Sequence, residues 1–483
     1  MSAVGALARR LHAFAPFLQE SAPHPELSHG PLLAALADDV AARPTRARVW
    51  LLATAVAGGY PTRAEVDQIV RGLDLAAPGA ALGAVLSGVA QTAANQVEDE
   101  LELEVVDGGV VVDVDFCAKS PHNTGIQRVV RSAMPHWDAD TGAVFVAWSG
   151  DITGYRRLTE GQRRLALDWH SGDLPGAERP DPVLVVPWNS ELVIPDVPAA
   201  ALIERQAALA RDSGNRVVLI GHDAIPIVSA DTMVDEESDR FSQYLSIVKH
   251  SAVVAANSAT TAEEFSGFVD TLPAQGLVGP RVQTVRLPVD FPQRSVDAAP
   301  AARDRPLALM VGSVEPRKNQ RAVLSAAQTL WAEGLDFELL VIGGGHSWYL
   351  ADFDRQVRRL QRAGLHVGVG RGLSDETVAQ AYRDARVVVF PSLQEGFGLP
   401  VAEALATGTP VITTRYGSTA EIAEGGGCVL VDPRDESDIA QAMRSVLTDD
   451  TVHDELVRQA QQRHNATWVD YASALWSAVE AAR

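Results

Sequence analysis

The chain of 483 residues is 46% hydrophobic and carries a formal net charge of −21. This length predicts about two to four domains, and the acidity argues against a nucleic-acid partner and against a strongly basic membrane-docking surface. Two cysteines, Cys117 and Cys428, cannot build a disulfide framework and suit a reducing compartment.

The sequence has no apolar run of about 18 residues, so we expect no transmembrane helix. The apolar stretch that follows Arg9 and Arg10 is short and broken, which argues against a signal peptide. We therefore expect a cytoplasmic protein, with contact to the inner face of the cell membrane left open.

Residues 1–100 are rich in Ala and Leu, and their apolar periodicity predicts helices over 30–42, 46–56, 63–73 and 80–94. Thr62 and Glu65 form the pattern of a capping box before the third helix. This region contains no catalytic constellation, and we expect a separable helical accessory region that packs on the rest of the chain or on a partner, including a second copy. A membrane-surface helix over 4–18 is the alternative, although its two cations attract anionic lipid only weakly.

Residues 101–291 alternate strands and helices. Residues 101–106 alternate in hydrophobicity and meet Asp107-Gly108, which predicts a hairpin with a strand over 110–116. Asp113 and Asp115 lie two apart in that strand and would share one face, so a metal site is one interpretation. The alternative is that one of them caps a turn.

Two further stretches of this block are candidates for ligand contact. Asn123-Thr124-Gly125 opens a helix in which Arg128 and Arg131 share one face, and a solvent-exposed face is the open alternative for the two arginines. His222 and Asp223 end a buried strand over 216–220, and the carboxyl ends of parallel strands are where such sheets bind ligands.

A segment rich in Ala, Pro, Arg and Asp without periodicity predicts a linker over 292–305. The blocks on either side each alternate strand and helix, which predicts two doubly wound parallel sheets with a cleft between them. The second block covers 306–464, and residues 465–483 form a closing helix. Arg317 and Lys318 follow its first strand, where they can neutralise phosphate.

The most informative stretch is Pro391-Ser-Leu-Gln-Glu-Gly-Phe-Gly-Leu-Pro-Val-Ala-Glu-Ala404, which follows a buried strand over 386–390. Its glycines allow close approach of backbone to a ligand, and Pro400 suits the first turn of a helix. Glu395 and Glu403 therefore flank a helix N-terminus at the carboxyl end of a strand. Free N–H groups there favour phosphate, and carboxylates accept hydrogen bonds from sugar hydroxyls. Together they indicate a nucleotide-sugar site.

This stretch, with seven residues between Glu395 and Glu403, resembles the signature of family-4 retaining glycosyltransferases of the GT-B fold. The Thr-Gly-Ile-Gln-Arg-Val segment at 124–129 resembles bacterial enzymes that build O-antigen and other surface polysaccharides. The resemblance covers about residues 110–480. It implies an α/β protein of two Rossmann-like domains, an acceptor-side domain over 101–291 and a donor domain over 306–464, with the closing helix crossing back to the first.

The resemblance also implies roles for individual residues. The catalytic group consists of His222, Glu395 and Lys318. The donor-binding residues are Gly125, Arg317, Lys318, Gly396, Phe397, Gly398, Leu399 and Glu403. The acceptor side includes Asn123, Thr124, Arg128 and Asp223. The family commonly has an arginine where Ser313 stands, and this departure leaves the diphosphate charge to Lys318 and Arg317.

The function implied is a metal-independent, retaining transfer of a hexose from a nucleotide diphosphate sugar to a saccharide or lipid-linked saccharide, without a cofactor, in bacterial surface polysaccharide assembly. The resemblance leans to mannose or a deoxyhexose such as rhamnose. Two alternatives use the same fold, namely a sugar epimerase and a non-catalytic subunit that binds sugars or proteins.

Overall fold

A computed structural model describes residues 3–19, 27–77, 79–95, 101–170, 173–174, 176, 178–288, 303–345 and 347–482. Residues 292–302 of the predicted linker over 292–305 lie outside this described part. The chain begins with helices and continues with two blocks that each build one sheet, as the alternation of patterns predicts.

The N-terminal region is helical over almost the whole of its described length. Thr62 caps the fourth helix, and Glu65 accepts from the Thr62 N–H at 2.8 Å, which completes the predicted capping box. Gly58 adopts φ 71° and ends the third helix. The helices are α1 Ala3–Leu18, α2 His29–Ala42, α3 Arg46–Ala57, α4 Arg63–Leu75, α5 Ala81–Gly88 and α6 Ala90–Asn95.

The first sheet has the strand order β1-β5-β4-β3-β2-β6-β7-β8-β9. Its strands are β1 Glu102–Asp107, β2 Val110–Asp113, β3 Val144–Trp148, β4 Tyr155–Arg157, β5 Val183–Trp188, β6 Glu191–Ile194, β7 Arg216–Gly221, β8 Val253–Ala256 and β9 Arg281–Thr284. All neighbours are parallel except β4, which runs antiparallel to β3 and β5. The α-helices of this block are α7 Asp115–Lys119, α8 Gly125–Asp140, α9 Glu160–Leu167, α10 Ala200–Asp212, α11 Ile225–Val228, α12 Asp235–Val248 and α13 Ala259–Val269, with 3₁₀ turns at Ala230–Thr232 and Leu272–Gln275.

The predicted hairpin at Asp107-Gly108 is wrong. β1 pairs in parallel with β5, from Glu102 opposite Val183, while β2 pairs with β3 and β6. All four residues of β2 are buried, which suits a strand between two parallel neighbours, whereas the half-buried β1 suits the edge. The predicted strand over 110–116 is also too long, because it ends at Asp113 and α7 begins at Asp115.

Helices α1–α6 cover one face of the first sheet, so the structure argues against a separable accessory region. One continuous core contains Trp50 and Tyr60 from these helices together with Trp148 and Tyr155 from the sheet. The Tyr60 ring lies 5.7 Å from Trp148 and 5.5 Å from Tyr155, both edge to face. The Tyr60 hydroxyl donates to the carbonyl of Val185 in β5.

The second sheet is parallel throughout, in the order β12-β11-β10-β13-β14-β15. The chain moves outward from β10 in one direction and from β13 in the other, so a topological switch point lies between these strands. The strands are β10 Leu307–Val311, β11 Glu338–Ile342, β12 Val367–Gly370, β13 Val387–Phe390, β14 Val411–Thr414 and β15 Cys428–Val431. The α-helices are α14 Gln320–Ala332, α15 Ser347–Arg362, α16 Asp375–Asp384, α17 Leu399–Ala406, α18 Gly417–Ala423, α19 Glu436–Thr448, α20 Asp450–Gln461 and α21 Trp468–Glu480, with a 3₁₀ turn at Pro316–Lys318.

The last helix, α21, packs against α8 of the first block. The Trp137 indole N–H donates to the carbonyl of Ala472 at 2.9 Å, and the Trp137 and Trp476 rings meet edge to face at 5.1 Å. None of the helices in the described part of the chain combines the length and apolar composition needed to cross a membrane.

Candidate functional site

The candidate site lies at the switch point, where the loops after β10 and β13 meet. Asn319 adopts φ 62° at the start of α14, and its amide donates to the carbonyl of Pro391 at 3.1 Å. The same amide donates to the carbonyl of Pro433 at 2.7 Å. One asparagine therefore ties together the loops after β10, β13 and β15, and this holds Arg317 and Lys318 beside Glu395.

Glu395 lies at the centre of a buried charge cluster. Lys318 Nζ donates to its Oε1 at 2.6 Å, Arg317 lies 3.0 Å from its Oε2, and Ser392 Oγ donates to Oε1 at 2.6 Å. The Glu395 side chain is 8% exposed. Burial alone would raise the pKa of Glu395, but the charges of Arg317 and Lys318 lower it to about 2. This carboxylate is therefore ionised at neutral pH.

The two cations have partners besides Glu395. The Arg317 guanidinium also pairs with Glu315 at 2.8 Å, and Lys318 Nζ lies 4.9 Å from the centroid of the Phe390 ring. Lys318 is buried. Sequence analysis predicted both cations and Glu395 as site residues, and the structure brings all three together.

The turn Glu395-Gly-Phe-Gly398 contacts the first domain directly. A Cβ atom at Gly396 would lie 2.0 Å from the carbonyl oxygen of His222, so no side chain fits there. The Gly396 carbonyl accepts from Ser258 Oγ at 2.6 Å and from Thr261 Oγ1 at 3.0 Å. Gly398 has φ 106°, which favours glycine, and precedes the first residue of α17. Phe397 is buried in the core shared by both sheets.

His222 and Asp223 lie on the other side of this contact, at the end of β7. His222 is buried, and its Nε2 lies 2.7 Å from the carbonyl oxygen of Pro195. Since a carbonyl only accepts, Nε2 carries the proton and Nδ1 of the neutral ring is an acceptor. Burial lowers the pKa of His222, which favours this neutral form. Burial raises the pKa of Asp223, which Arg317 opposes, and Asp223 Oδ1 accepts from the N–H of Ile225 at 3.1 Å.

Glu403 bridges the two domains through Arg128. Its Oε1 lies 2.6 Å from Arg128 Nη1, and its Oε2 accepts from the Tyr382 hydroxyl at 2.8 Å. Burial raises the pKa of Glu403, and Arg128 and Tyr382 oppose this. A Cβ atom at Gly125 would lie 3.5 Å from Leu399 Cδ1, so the N-termini of α8 and α17 face each other closely.

The alternative of a solvent-exposed arginine face on α8 is wrong. Arg128 faces Glu403, and Arg131 is 8% exposed. Arg131 donates to the carbonyls of His122 at 2.7 Å and Leu165 at 3.1 Å, and to Asn123 Oδ1 at 3.2 Å. Thr124 caps α8 in a capping box with Gln127. Asn123 and Thr124 thus have structural partners at the edge of the site.

Asp196 is a buried carboxylate beside the site that sequence analysis did not single out. It follows β6, next to the Pro195 carbonyl that contacts His222, and its Oδ1 accepts from Gln127 Nε2 at 3.2 Å. Burial first, and then the charge of Asp113, raises the pKa of Asp196 to about 7. The available signal was a carboxylate just after a buried strand, at the sheet edge that also carries His222.

Asp113 does not fit a metal ligand, because both of its carboxylate oxygens already accept hydrogen bonds, Oδ1 from the Asp115 N–H at 3.0 Å. Its Oδ2 accepts from Gln206 Nε2 at 2.7 Å, the Tyr155 hydroxyl at 2.9 Å and Trp148 Nε1 at 3.1 Å. Asp115 accepts from the backbone N–H of Trp148 at 2.8 Å. In the described ranges, no three His, Cys, Asp or Glu side chains gather as a metal site would require.

Comparison with known proteins shows what this chain resembles. Residues 293–463 match the family described as Glycosyl transferases group 1. The chain is 26% identical over 334 residues to the serotype-specific mannosyltransferase WbdA of Escherichia coli, covering 65% of this chain and 38% of WbdA. It is 36% identical over 144 residues to the O-antigen chain mannosyltransferase B of Escherichia coli, covering 30% of this chain and 37% of that protein. The chain thus spans about two fifths of the length of these curated relatives.

Solved structures share the arrangement of the two sheets. Alr3699/HepE of Anabaena, crystallised with UDP and glucose, superposes with a TM-score of 0.55 at 15% identity, over 77% of this chain and 100% of that one. Sucrose-phosphate synthase of Thermosynechococcus elongatus superposes with a TM-score of 0.51 at 17% identity, over 77% and 96%.

These comparisons confirm the GT-B fold expected from the sequence. Residues 293–463 match the Glycosyl transferases group 1 family, which confirms the resemblance that rested on Glu395 and Glu403.

Proposed function

We propose that this protein is a retaining, metal-independent glycosyltransferase that moves a hexose from a nucleotide diphosphate sugar to a saccharide or lipid-linked saccharide. The observation that carries the proposal is the buried Lys318–Arg317–Glu395 cluster, which lies at the switch point and against the loop of His222. The family match of residues 293–463 and the names of the chain's relatives support the same reaction class.

The site residues contact two different parts of the donor, namely the leaving diphosphate and the sugars. When the glycosidic bond to the donor phosphate breaks, negative charge develops on the leaving diphosphate. Lys318 and Arg317 are preorganised cations that can stabilise this charge in a site largely closed to water. The N-terminus of α17, which follows Gly398, adds the positive end of the helix dipole and the Leu399 N–H, since Pro400 has no N–H and the Val401 N–H donates to the Gly398 carbonyl.

The carboxylates suit the neutral parts of the donor. Glu395 is ionised and accepts hydrogen bonds, so it can hold hydroxyls of the transferred sugar. Glu403 accepts hydrogen bonds from the ribose hydroxyls, which either replace its contact with Arg128 or form beside it. His222, protonated at Nε2 toward Pro195, presents a neutral ring to the sugar. No other strong base is assigned, because the leaving phosphate can accept the acceptor's proton.

Mannose is the hexose that we propose, since the relatives WbdA and O-antigen chain mannosyltransferase B are both named as mannosyltransferases. The acceptor is then a saccharide or lipid-linked saccharide of a bacterial surface polysaccharide.

A thermal-shift panel of GDP-mannose, dTDP-rhamnose and UDP-glucose tests the donor. A ligand at about 100 times its Kd stabilises the protein by about 2.7 kcal/mol, which is a readily measured shift. Donor hydrolysis is then followed by chromatography, and the anomer of the transferred sugar by NMR. We expect GDP-mannose to stabilise and to be turned over with retention. Binding without hydrolysis or transfer would favour a non-catalytic subunit, and conversion of a nucleotide sugar into its epimer would favour an epimerase.

A further inference from the structure

A pocket with a volume of about 350 Å³ lies between the domains, beside the turn that begins at Glu395. Its walls come from the loops that follow β13, β14 and β15 and, in the first domain, from Val228, Ser229, Asp231, Thr232 and Thr260. It shares no lining residue with the small cavity at Arg128 and Glu403. Nothing assigned above to the donor uses this pocket except the turn of Glu395 itself.

One wall carries an aromatic ring that is held in place but remains exposed. Tyr416 directly precedes α18 of the second domain, and its side chain is 38% exposed. Arg434 Nη1 donates to the Tyr416 hydroxyl at 2.8 Å, and the guanidinium carbon lies 5.8 Å from the ring centroid. An exposed ring fixed by a neighbouring cation costs little conformational entropy when a ligand stacks on it.

The opposite wall combines an apolar side chain with polar ones. Val228, the last residue of α11, is 52% exposed, and Asp231 and Thr232 lie in the 3₁₀ turn that follows it. The floor is preorganised, because Gln394 Nε2 donates to Glu264 at 2.6 Å and Ser418 Oγ donates to the carbonyl of Glu395 at 2.8 Å. Both domains therefore hold the pocket in a defined shape.

The combination of apolar and polar groups that line this pocket favours a sugar as its ligand. A ring and an aliphatic side chain match the apolar C–H face of a sugar, while carboxylate, hydroxyl and guanidinium groups match its hydroxyls. Arg434 is the one cation among the lining residues that the structure describes, whereas Asp231 and Glu395 are both carboxylates, so the pocket has no excess positive charge for a phosphate.

We propose that this pocket is a saccharide subsite that holds a sugar residue of the acceptor chain, with Tyr416 as the stacking platform and Asp231 as a hydroxyl acceptor. The proposal rests on the proposed glycosyltransferase function, because an acceptor sugar must bind close to the donor sugar that Glu395 is proposed to hold. It assigns acceptor binding to the donor domain as well as to the first domain.

The test measures saccharide binding separately from catalysis. Binding of α-linked mannotriose is titrated by saturation-transfer difference NMR to wild type, Tyr416→Ala, Tyr416→Phe and Asp231→Ala. Arg458→Ala is the matched control, because Arg458 is an exposed arginine of the same domain that pairs with Glu455 outside the pocket. Thermal unfolding of every variant checks the fold.

We expect Tyr416→Ala to weaken mannotriose binding by about tenfold or more, since the whole ring is lost. Tyr416→Phe keeps the ring and should remain within about threefold, Asp231→Ala should weaken binding several-fold, and Arg458→Ala should match wild type. Wild-type binding that is absent, or that is unchanged by both Tyr416→Ala and Asp231→Ala, would overturn the subsite.

Hydrolysis of GDP-mannose by the wild-type protein separates the two proposals. Hydrolysis without mannotriose binding would remove the subsite and keep the transferase. Mannotriose binding that depends on Tyr416, without hydrolysis of any nucleotide sugar, would keep the saccharide site and remove the proposed function.

Discussion

Replacing Lys318 by methionine removes the charge that contacts Glu395 while it keeps most of the aliphatic stem. Loss of one partner of a buried ion pair costs about 3–5 kcal/mol when the other charge is left alone. Glu395 keeps Arg317 at 3.0 Å and Ser392 at 2.6 Å, so we expect a smaller loss of unfolding free energy, about 1–3 kcal/mol.

The effect of Lys318→Met on catalysis has a different cause and a different size. Loss of one preorganised stabiliser of developing charge lowers turnover by about 10²–10³, equivalent to about 2.7–4 kcal/mol in the transition state. Urea unfolding measures the first effect, and GDP-mannose turnover measures the second.

A double-mutant cycle with Glu395→Gln separates the two effects of Lys318→Met. In the double variant neither residue leaves an uncompensated charge, so stability should recover by about 1–3 kcal/mol relative to the sum of the single changes. Turnover should not recover. Near-wild-type turnover of Lys318→Met would refute its catalytic role even if stability falls, and additive stability effects would refute the coupling with Glu395.

Further predictions concern the remaining parts of the site and the fold. The pKa of Glu395 falls from 4.5 to about 2 on folding, so its ionised form adds about 3 kcal/mol that is complete above pH 4.5 and is lost as pH falls through 2. Between pH 7 and pH 3.5 the unfolding free energy of wild type should therefore drop by about 1 kcal/mol more than that of Glu395→Gln, and equal drops would contradict the shift. By calorimetry Glu403→Ala should weaken GDP binding by about tenfold and Glu395→Ala by less than about threefold, whereas equal losses would refute the division of roles. Transfer should survive EDTA because Lys318 and Arg317 supply the positive charge, and loss that Mn²⁺ restores would contradict this. Tyr60→Phe should cost about 1 kcal/mol and Tyr60→Ala about 3–5 kcal/mol by urea unfolding, and a silent Tyr60→Ala would show that α1–α6 are not part of the core.

The part of the site that is local in sequence was predictable. The run from Pro391 to Ala404 contains a strand end, a glycine turn and a helix start, and each follows from the residue types nearby. The structure places Gly398 at φ 106° before α17, as that pattern requires. Arg317 and Lys318 were predictable for the same reason, because they lie just after the first strand of their block.

Contacts between distant segments could not be predicted in the same way. Asp107-Gly108 has the composition of a hairpin turn, but the partner of β1 is set by β5 through burial across the sheet. Arg128 has the spacing of an exposed helix face, and only the packing of α8 against α17 supplies Glu403 as its partner. The sequence of residues 1–95 shows which side of each helix is apolar. It does not show which face of the first sheet these helices cover, because that depends on the assembled fold.

The charge balance of the cluster bears on how the donor is recognised. Arg317 and Lys318 are matched by Glu395 and Glu315, so the four side chains together carry no excess positive charge. A diphosphate is therefore attracted only when the cations exchange a carboxylate for phosphate. Glu395 can release them if hydroxyls of the donor sugar take over part of its hydrogen bonding, which couples recognition of the sugar to recognition of the phosphate. A Glu395→Ala variant lacks that carboxylate and leaves both cations available, which is the physical reason to expect it to retain affinity for the nucleotide while it loses turnover.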